Sequence, residues 1–495
     1  MYEIALSISL ATFLAITFYY VRSPGFSIYN PFTIFLAVHG LIFVIRPIVG
    51  NILHYNQIYA IYHFMPSAEI RTTVILASNL SLVCFAFWCL RFGSVPMRFN
   101  FDRADQEERR RLSQVFSLAS LIVVPFALYS VYISYTALSQ GAYVTGMVVD
   151  RSTGISYNTS SNGYVTDAQL MLVPWVTLMA WMGRFRFLSL VPLMLFVVLK
   201  AGTGGRGAFV VAMAGAALLY CFEHRRRMLP PHFLGYGAAL LALFALIGLD
   251  RGASVRQMLG QKVEVNVEEK LASTERWQFM ESMDWANMEF FEYLVYVVPE
   301  KSGTYDYFLD NFQIFTDPIP RVLWEGKPKG EPFRSIFLFD FGDPVGMTRS
   351  IPGEGWFALG WLGVIIWSSL WGASMGLLYR RFVESRQTTM QTACYMAFVP
   401  GLIIAYRDGA LATVVHNAGV YLAPIGIWYL LARGAGVPKA DELRKAMLRK
   451  LRRQNMQNQQ AQEGEAPAKP ETWLPPAVRR RRAHLQALAD KSGQP

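Results

Sequence analysis

FLGYGAALLALFALIGL, residues 233–249, runs seventeen positions without a charge and is followed at once by Asp250 and Arg251. Crossing about 30 Å of hydrocarbon takes roughly 17 or more mostly apolar residues in a helix, so this stretch predicts a membrane span. Residues 250–351 then form a polar connection of roughly a hundred residues. Working outward, the same reading finds ten more apolar segments, at 4–20, 31–49, 72–90, 112–135, 169–182, 187–201, 207–222, 356–379, 391–406 and 411–431. Hydrophobic residues make up 53% of the chain and charged residues 16%, against about 25% charged in a soluble domain. The expected fold is all-α. It is a polytopic membrane protein with about eleven transmembrane helices in residues 1–432 and one large extracytoplasmic loop, 250–351. Residues 433–495 form a basic tail whose Gln-rich and Pro-containing stretches predict disorder. The first segment carries only Glu3 and no basic run before it, so it reads as a span and not as a cleavable signal.

Charge sets the orientation. The tail carries 14 basic and 6 acidic residues, whereas 250–351 carries 11 basic and 17 acidic. Basic flanks stay in the cytoplasm, which predicts a cytoplasmic C-terminus, an N-terminus on the opposite side and an outward-facing loop. Four further basic connections, at 91–111, 183–186, 223–227 and 380–386, fall on the side of the tail when the segments are threaded alternately. The net charge of +11 therefore records topology and contact with anionic lipid, and nucleic acid is not an expected partner. Cys84, Cys89, Cys221 and Cys394 all lie in or at the ends of apolar segments, and the seven histidines show no ligand spacing. No metal and no cofactor is expected.

Three outer connections carry candidate chemistry. Gly202-Thr203-Gly204-Gly205-Arg206-Gly207 has the spelling of a dinucleotide fingerprint, but an apolar span precedes it where that motif needs a strand. Its glycines still let backbone N–H groups approach a phosphate at a helix start, and Arg206 adds a planar charge. The plainer alternative is a tight hairpin whose Arg reaches lipid headgroups. Ile319-Pro320-Arg321-Val322-Leu323-Trp324, followed by Lys327, Pro328 and Lys329, holds cations and an aromatic between prolines. That set suits a pyrophosphate with a sugar stacked nearby, although an interfacial Trp is equally an anchor. Tyr406-Arg407-Asp408-Gly409 makes a very short outer turn, with His416 two turns beyond. Ionisable groups at such depth face a cavity or one another. Gly353-Glu354-Gly355 closes the loop at the start of the ninth helix, where the dipole favours an ionised carboxylate.

On these residues the chain resembles the oligosaccharide repeat-unit polymerases, the Wzy-type O-antigen polymerases. Gly204-Gly205-Arg206-Gly207, Ile319 to Trp324 with Lys327-Pro328, and Gly353-Glu354-Gly355 carry the likeness. Glu325 stands where the family more often has proline after the tryptophan. The resemblance implies a metal-independent glycosyltransferase at the outer leaflet of the bacterial inner membrane. It would move a growing glycan from one undecaprenyl-pyrophosphate carrier to the sugar hydroxyl of the next lipid-linked repeat. Membrane lipids and a chain-length regulator protein are further implied partners. Arg206, Arg321 and Arg407 are then candidates to stabilise the leaving pyrophosphate, and Glu354 or His416 to take the hydroxyl proton. Gly204, Gly205, Gly207, Trp324, Lys327, Lys329 and Asp408 are candidates for substrate binding. An O-antigen ligase, which delivers glycan to a lipid A-core acceptor, shares this layout. A lipid-linked oligosaccharide flippase is the non-enzymatic alternative, but a transporter would show paired repeats and polar groups near the bilayer midplane.

Overall fold

The computed structural model describes residues 1–139, 147–149, 156–158, 163–202, 206–233, 235, 237, 281, 285–316, 318, 319, 323, 324, 335–342, 348–464 and 475–491. They fall into two units, Met1–Val437 and Pro438–Pro495. The first unit begins with α1 (Tyr2–Arg22) and α2 (Pro31–His39). A π-helical turn, Gly40–Ile45, continues α2 into α3 (Arg46–Leu53). Next come α4 (Gln57–Tyr62), α5 (Ala68–Gly93), α6 (Arg103–Ser139), α7 (Gly163–Asp167), α8 (Leu172–Met182), α9 (Phe187–Gly202) and α10 (Arg206–Glu223). After the undescribed stretch come α11 (Asn287–Val297), α12 (Gln313–Thr316), α13 (Ser350–Glu384), α14 (Thr389–Asp408) and α15 (Leu411–Gly434). Two three-residue strands, Met147–Val149 and Ser156–Asn158, pair antiparallel with Val148 opposite Tyr157. Helix starts are locally encoded. Asn30 accepts from the Phe32 amide ahead of Pro31, Ser67 from Ile70, and Thr388 from Gln391.

Among the described residues, seven helices are long and apolar enough to cross a membrane. They are Tyr2–Arg22, Pro31–Leu53, Ala68–Gly93, Arg103–Ile133, Ser350–Glu384, Thr389–Asp408 and Leu411–Gly434. Ala168–Met182, Phe187–Lys200 and Gly207–Glu223 are apolar but shorter. Most of the expected segment 233–249 and much of the expected loop lie outside the described residues. Large apolar side chains stand exposed on the bundle surface, Phe18 at 59%, Leu121 at 72% and Leu362 at 58%. Apolar surface on that scale belongs in lipid.

Packing brings α5 and α13 closest together. A Cβ added at Gly372 would strike the Phe85 carbonyl oxygen, and one at Gly376 that of Cys89, the close backbone approach that small residues permit between membrane helices. Ser81 and Ser368 share a buried hydrogen bond of 2.7 Å across the same seam. Phe35 and Phe85 stack at 3.7 Å with Tyr406 edge-on to both.

Two features depart from the sequence reading. Residues 265–298 read as helix lying at the membrane surface; their described part, α11, is instead buried almost throughout, with Phe291, Glu292 and Leu294 at 0% exposure. Met288, Phe290, Phe291, Leu294 and Val297 on one short helix make burial the stable choice. The ninth segment reads as one straight span from Trp356, but α13 is two helices. Leu359 (φ −156°) and Gly360 (φ +59°, ψ −137°) break it, and only glycine tolerates that second conformation. The arm 350–358 folds back so that Gly355 meets Gly363 backbone to backbone.

In the second unit, α16 (Ala440–Gly464) and α17 (Pro476–Lys491) are helical where composition predicts disorder. Ala, Leu, Arg, Lys, Gln and Glu dominate both, and all are strong helix formers.

Candidate functional site

The folded-back arm carries Glu354 into the bundle, 1% exposed. Arg349, just before the arm, reaches both ways: its Nη1 meets Glu354 Oε2 at 3.2 Å and its Nη2 meets Asp310 Oδ2 at 2.6 Å. Asn311 Nδ2 donates to the other oxygen, Glu354 Oε1, at 2.9 Å. Its own Oδ1 accepts from the Leu411 amide, the first of α15, at 3.1 Å. The Arg349 guanidinium lies 4.1 Å from the centre of the Phe357 ring. Residues 305–312 are tied to the arm by backbone bonds from Asp306 to Phe357 O and from Tyr307 to Ala358 O, both 3.0 Å. The result is one arginine between two carboxylates, each oxygen of Glu354 with a donor.

The turn between α14 and α15 sits against this centre. Gly409 (φ +82°) packs on the Ser350 carbonyl so tightly that no Cβ would fit, and Trp367 Nε1 donates to Gly409 O at 3.0 Å. Asn287, at the start of α11, donates to Arg407 O at 2.8 Å and to Thr348 O at 2.9 Å. Arg407, Arg349 and Glu354 therefore belong to one neighbourhood. Asp408 accepts from the Thr413 hydroxyl, and both are part-buried. The Gly207 backbone approaches Ile404, one turn before Arg407 and Asp408: a Cβ added at Gly207 would fall 3.4 Å from Ile404 Cδ1. Gly207, the residue after Arg206, thus stands beside the same turn.

His416 lies in different company. Its Nε2 is 3.7 Å from Asp167 Oδ2, and both side chains are nearly half-exposed, at 48% and 41%. Glu354 and His416, alternative proton acceptors from sequence, are held by separate partners. Three residues before Asp167, the Tyr164 hydroxyl donates to Pro318 O, which brings the start of the Ile319–Trp324 motif near this pair. Trp324 is half-buried and Leu323 is 79% exposed. Gly204, Gly205, Arg321, Lys327 and Lys329 lie outside the described residues. Arg206 opens α10.

A second charged cluster escaped the sequence reading. Arg46 holds Glu289 through Nε at 3.1 and 3.2 Å and through Nη2 at 2.5 Å, with the side chains 2% and 5% exposed. One helical turn on, Glu292 is fully buried and accepts from the Tyr59 hydroxyl at 2.6 Å. Burial, then the neighbouring Glu289, push its pKa up to about 8. Arg71 lies over the Tyr59 ring at 5.2 Å. A usable signal was present: Arg46 stands inside an apolar segment, and Glu289 and Glu292 sit three apart in an apolar run. Phe291 on α11 meets Trp356 of the arm edge-on at 6.3 Å, so the two clusters are joined through packed aromatics.

A helical bundle with a lipid-suited surface and buried arginine–carboxylate centres defines a multi-pass membrane protein with polar chemistry built between its helices. The chain belongs to the O-antigen polysaccharide polymerase Wzy family, whose model it matches over residues 1–431. No curated protein and no solved structure matches it. Membership makes the chain a glycosyltransferase-type polymerase that joins lipid-linked oligosaccharide repeat units into polysaccharide.

Proposed function

We propose that the reaction runs at the outer leaflet of the inner membrane, with undecaprenyl pyrophosphate as carrier and leaving group, and without a metal. The growing glycan leaves one carrier: the bond from its reducing-end carbon to the pyrophosphate oxygen breaks, and a bond to the acceptor sugar oxygen forms. The acceptor hydroxyl gives its proton to the protein, and the pyrophosphate departs with the electron pair. Arg206, Arg321 and Arg407 face the growing negative charge, and Arg349 joins them as the cation that the sequence reading did not name. Gly204, Gly205, Gly207, Trp324, Lys327, Lys329 and Asp408 hold the remainder of the substrate in this reading. A chain-length regulator protein is its expected partner.

The observation that carries the reading is the meeting of the Arg407–Gly409 turn with the Arg349–Glu354 pair, through Gly409 on Ser350. Glu354 has both oxygens committed, to Arg349 and Asn311, and so acts as a positioning residue. His416, beside Asp167 and nearly half-exposed, is the proton acceptor. The test is polymer formation by purified full-length protein from a lipid-linked repeat, with and without chelator. Arg407→Ala should abolish polymer while leaving protein in the membrane, and Arg407→Lys should rescue poorly, because a point charge cannot reproduce the planar fork. Full activity of Arg407→Ala would remove it from the site, and loss of activity with chelator would defeat the metal-free reaction. In a deletion strain, single repeats attached to the lipid A-core mark loss of a polymerase, whereas a bare core marks loss of a ligase.

A further inference from the structure

A cavity of about 440 Å³ opens where α6, α8, α10 and α14 meet, with Arg109, Arg110, Arg184 and Arg225 on its wall beside Asp105 and Glu223. It is not the site described above. Thr389 and Thr392 line it, in the first turn of α14, while Arg407 stands in the last turn of the same helix. Eighteen residues at 1.5 Å each separate the two by about 27 Å along the axis. The cavity is therefore at the opposite end of the bundle, among the connections whose basic residues predict the cytoplasmic side.

Its acids are already committed. Arg109 Nη1 holds Glu223 Oε2 at 2.5 Å, and Arg386 holds Asp105 through two contacts of 3.1 Å. Among the described residues, Arg110, Arg184 and Arg225 have no ion pair. Among the described residues, three guanidinium groups thus line one polar cavity without a carboxylate to balance them, Arg225 lying 4.5 Å from the centre of the Phe101 ring.

The backbone points the same way. Arg184 and Arg225 both sit at positive φ, +55° and +52°, in the position that glycine fills without steric cost at a helix end. The two hooks share one hydrogen-bond pattern. Arg184 N bonds Trp181 O and Phe185 N bonds Ala180 O; Arg225 N bonds Phe222 O and Arg226 N bonds Cys221 O, all between 2.8 and 3.0 Å. Neutralising the helix dipole explains a cation anywhere in the last turn. It does not explain why, in both hooks, an arginine takes a backbone state that is unfavourable for a side chain, one that Phe185 (φ +53°) shares in the first hook. Such sparsely populated backbone states cluster at ligand clamps and active sites.

We propose that this cavity binds a phosphate-bearing anion, presented by the headgroup of an anionic phospholipid. The volume exceeds what a bare ion fills. Its place in a basic pocket between membrane helices matches the way such pockets take lipid headgroups. Arginine also pairs with phosphate in a bidentate manner that lysine does not reproduce.

The test is thermal unfolding of the full-length protein in detergent, alone and with cardiolipin, phosphatidylglycerol, phosphatidylcholine or inorganic pyrophosphate. It compares wild type with the Arg184→Gly/Arg225→Gly double variant. Glycine relieves both strained positions, so the variant should unfold at a temperature no lower than wild type without ligand. Cardiolipin or phosphatidylglycerol should raise the wild-type midpoint saturably, and the double variant should lose at least half of that rise. A saturable rise with pyrophosphate that the variant lacks, and no rise with lipid, would support the anion site and overturn the lipid source. An undiminished rise in the variant, an equal rise with phosphatidylcholine, or no rise with any anion would overturn the proposal.

Discussion

Arg349 and Glu354 form a 3.2 Å ion pair across the mouth of a folded-back helical arm, with the carboxylate 1% exposed and the guanidinium side chain 18% exposed. The pair leaves the cation as the member nearer to solvent. A carboxylate so enclosed aims its arginine and has little access to a sugar hydroxyl. His416→Ala should therefore lower turnover by about 10²–10⁴, the usual range for a lost general base. Glu354→Gln should cost less. Rates measured on a lipid-linked repeat decide it: near-normal turnover in His416→Ala with collapse in Glu354→Gln would hand the proton to Glu354.

Glu292 offers a stability readout. Its pKa is about 8 against an ordinary 4.5, so the folded protein keeps a proton that the unfolded chain releases between those values. Its stabilising contribution is full below about pH 4.5 and declines as pH rises towards 8. Glu292→Gln stays neutral throughout and can still accept from Tyr59. The gap between variant and wild type in unfolding temperature should widen in the variant's favour from pH 5 to pH 8. Parallel curves for the two proteins would show that Glu292 ionises normally in the fold.

Arg46 and Glu289 make a buried pair whose halves are 243 residues apart in sequence. Removing one partner of such a pair strands the other charge, at a cost of roughly 3–5 kcal/mol. Arg46→Ala should lower the unfolding temperature and the amount of protein in the membrane. An Arg46→Met/Glu289→Leu double variant should recover much of that loss, because it strands nothing. Equal stability of Arg46→Ala and wild type would mean the pair is hydrated in the protein.

These contrasts explain what could be read from the chain beforehand. The long helices were legible because an uncharged apolar run is a local property: α1, α5 and α15 follow their segments closely. The arm was not. Residues 350–384 look continuous, and one glycine backbone at Gly360 reverses the chain. Glu354, Arg407 and Asp408 could be picked out as ionisable groups at span ends. Arg349, Asp310 and Asn311 could not, because their meaning lies in contacts with α13 and α15 made from a stretch that reads as irregular. Arg46 was visible as a charge within a span, yet its partner on α11 is not implied by any spacing.

The orientation carries the outer-leaflet reaction and can be tested on intact cells. Gly303 is exposed on the long connection between α11 and α13, and Asn458 is exposed on α16. The charge asymmetry, with 14 basic and 6 acidic residues in the tail, predicts that the first faces the periplasm and the second the cytoplasm. Cys84, Cys89, Cys221 and Cys394 are free thiols, two of them buried, and would first be replaced by alanine or serine. Single cysteines at 303 and 458 are then treated with a membrane-impermeant thiol reagent on spheroplasts. Cysteine 303 should label before lysis, and cysteine 458 only after it. The reverse pattern would put the Arg349–Glu354 centre and the Arg407 turn on the cytoplasmic side. It would also carry the arginine cavity at the other end of α14 to the outside, so one labelling experiment bears on both sites.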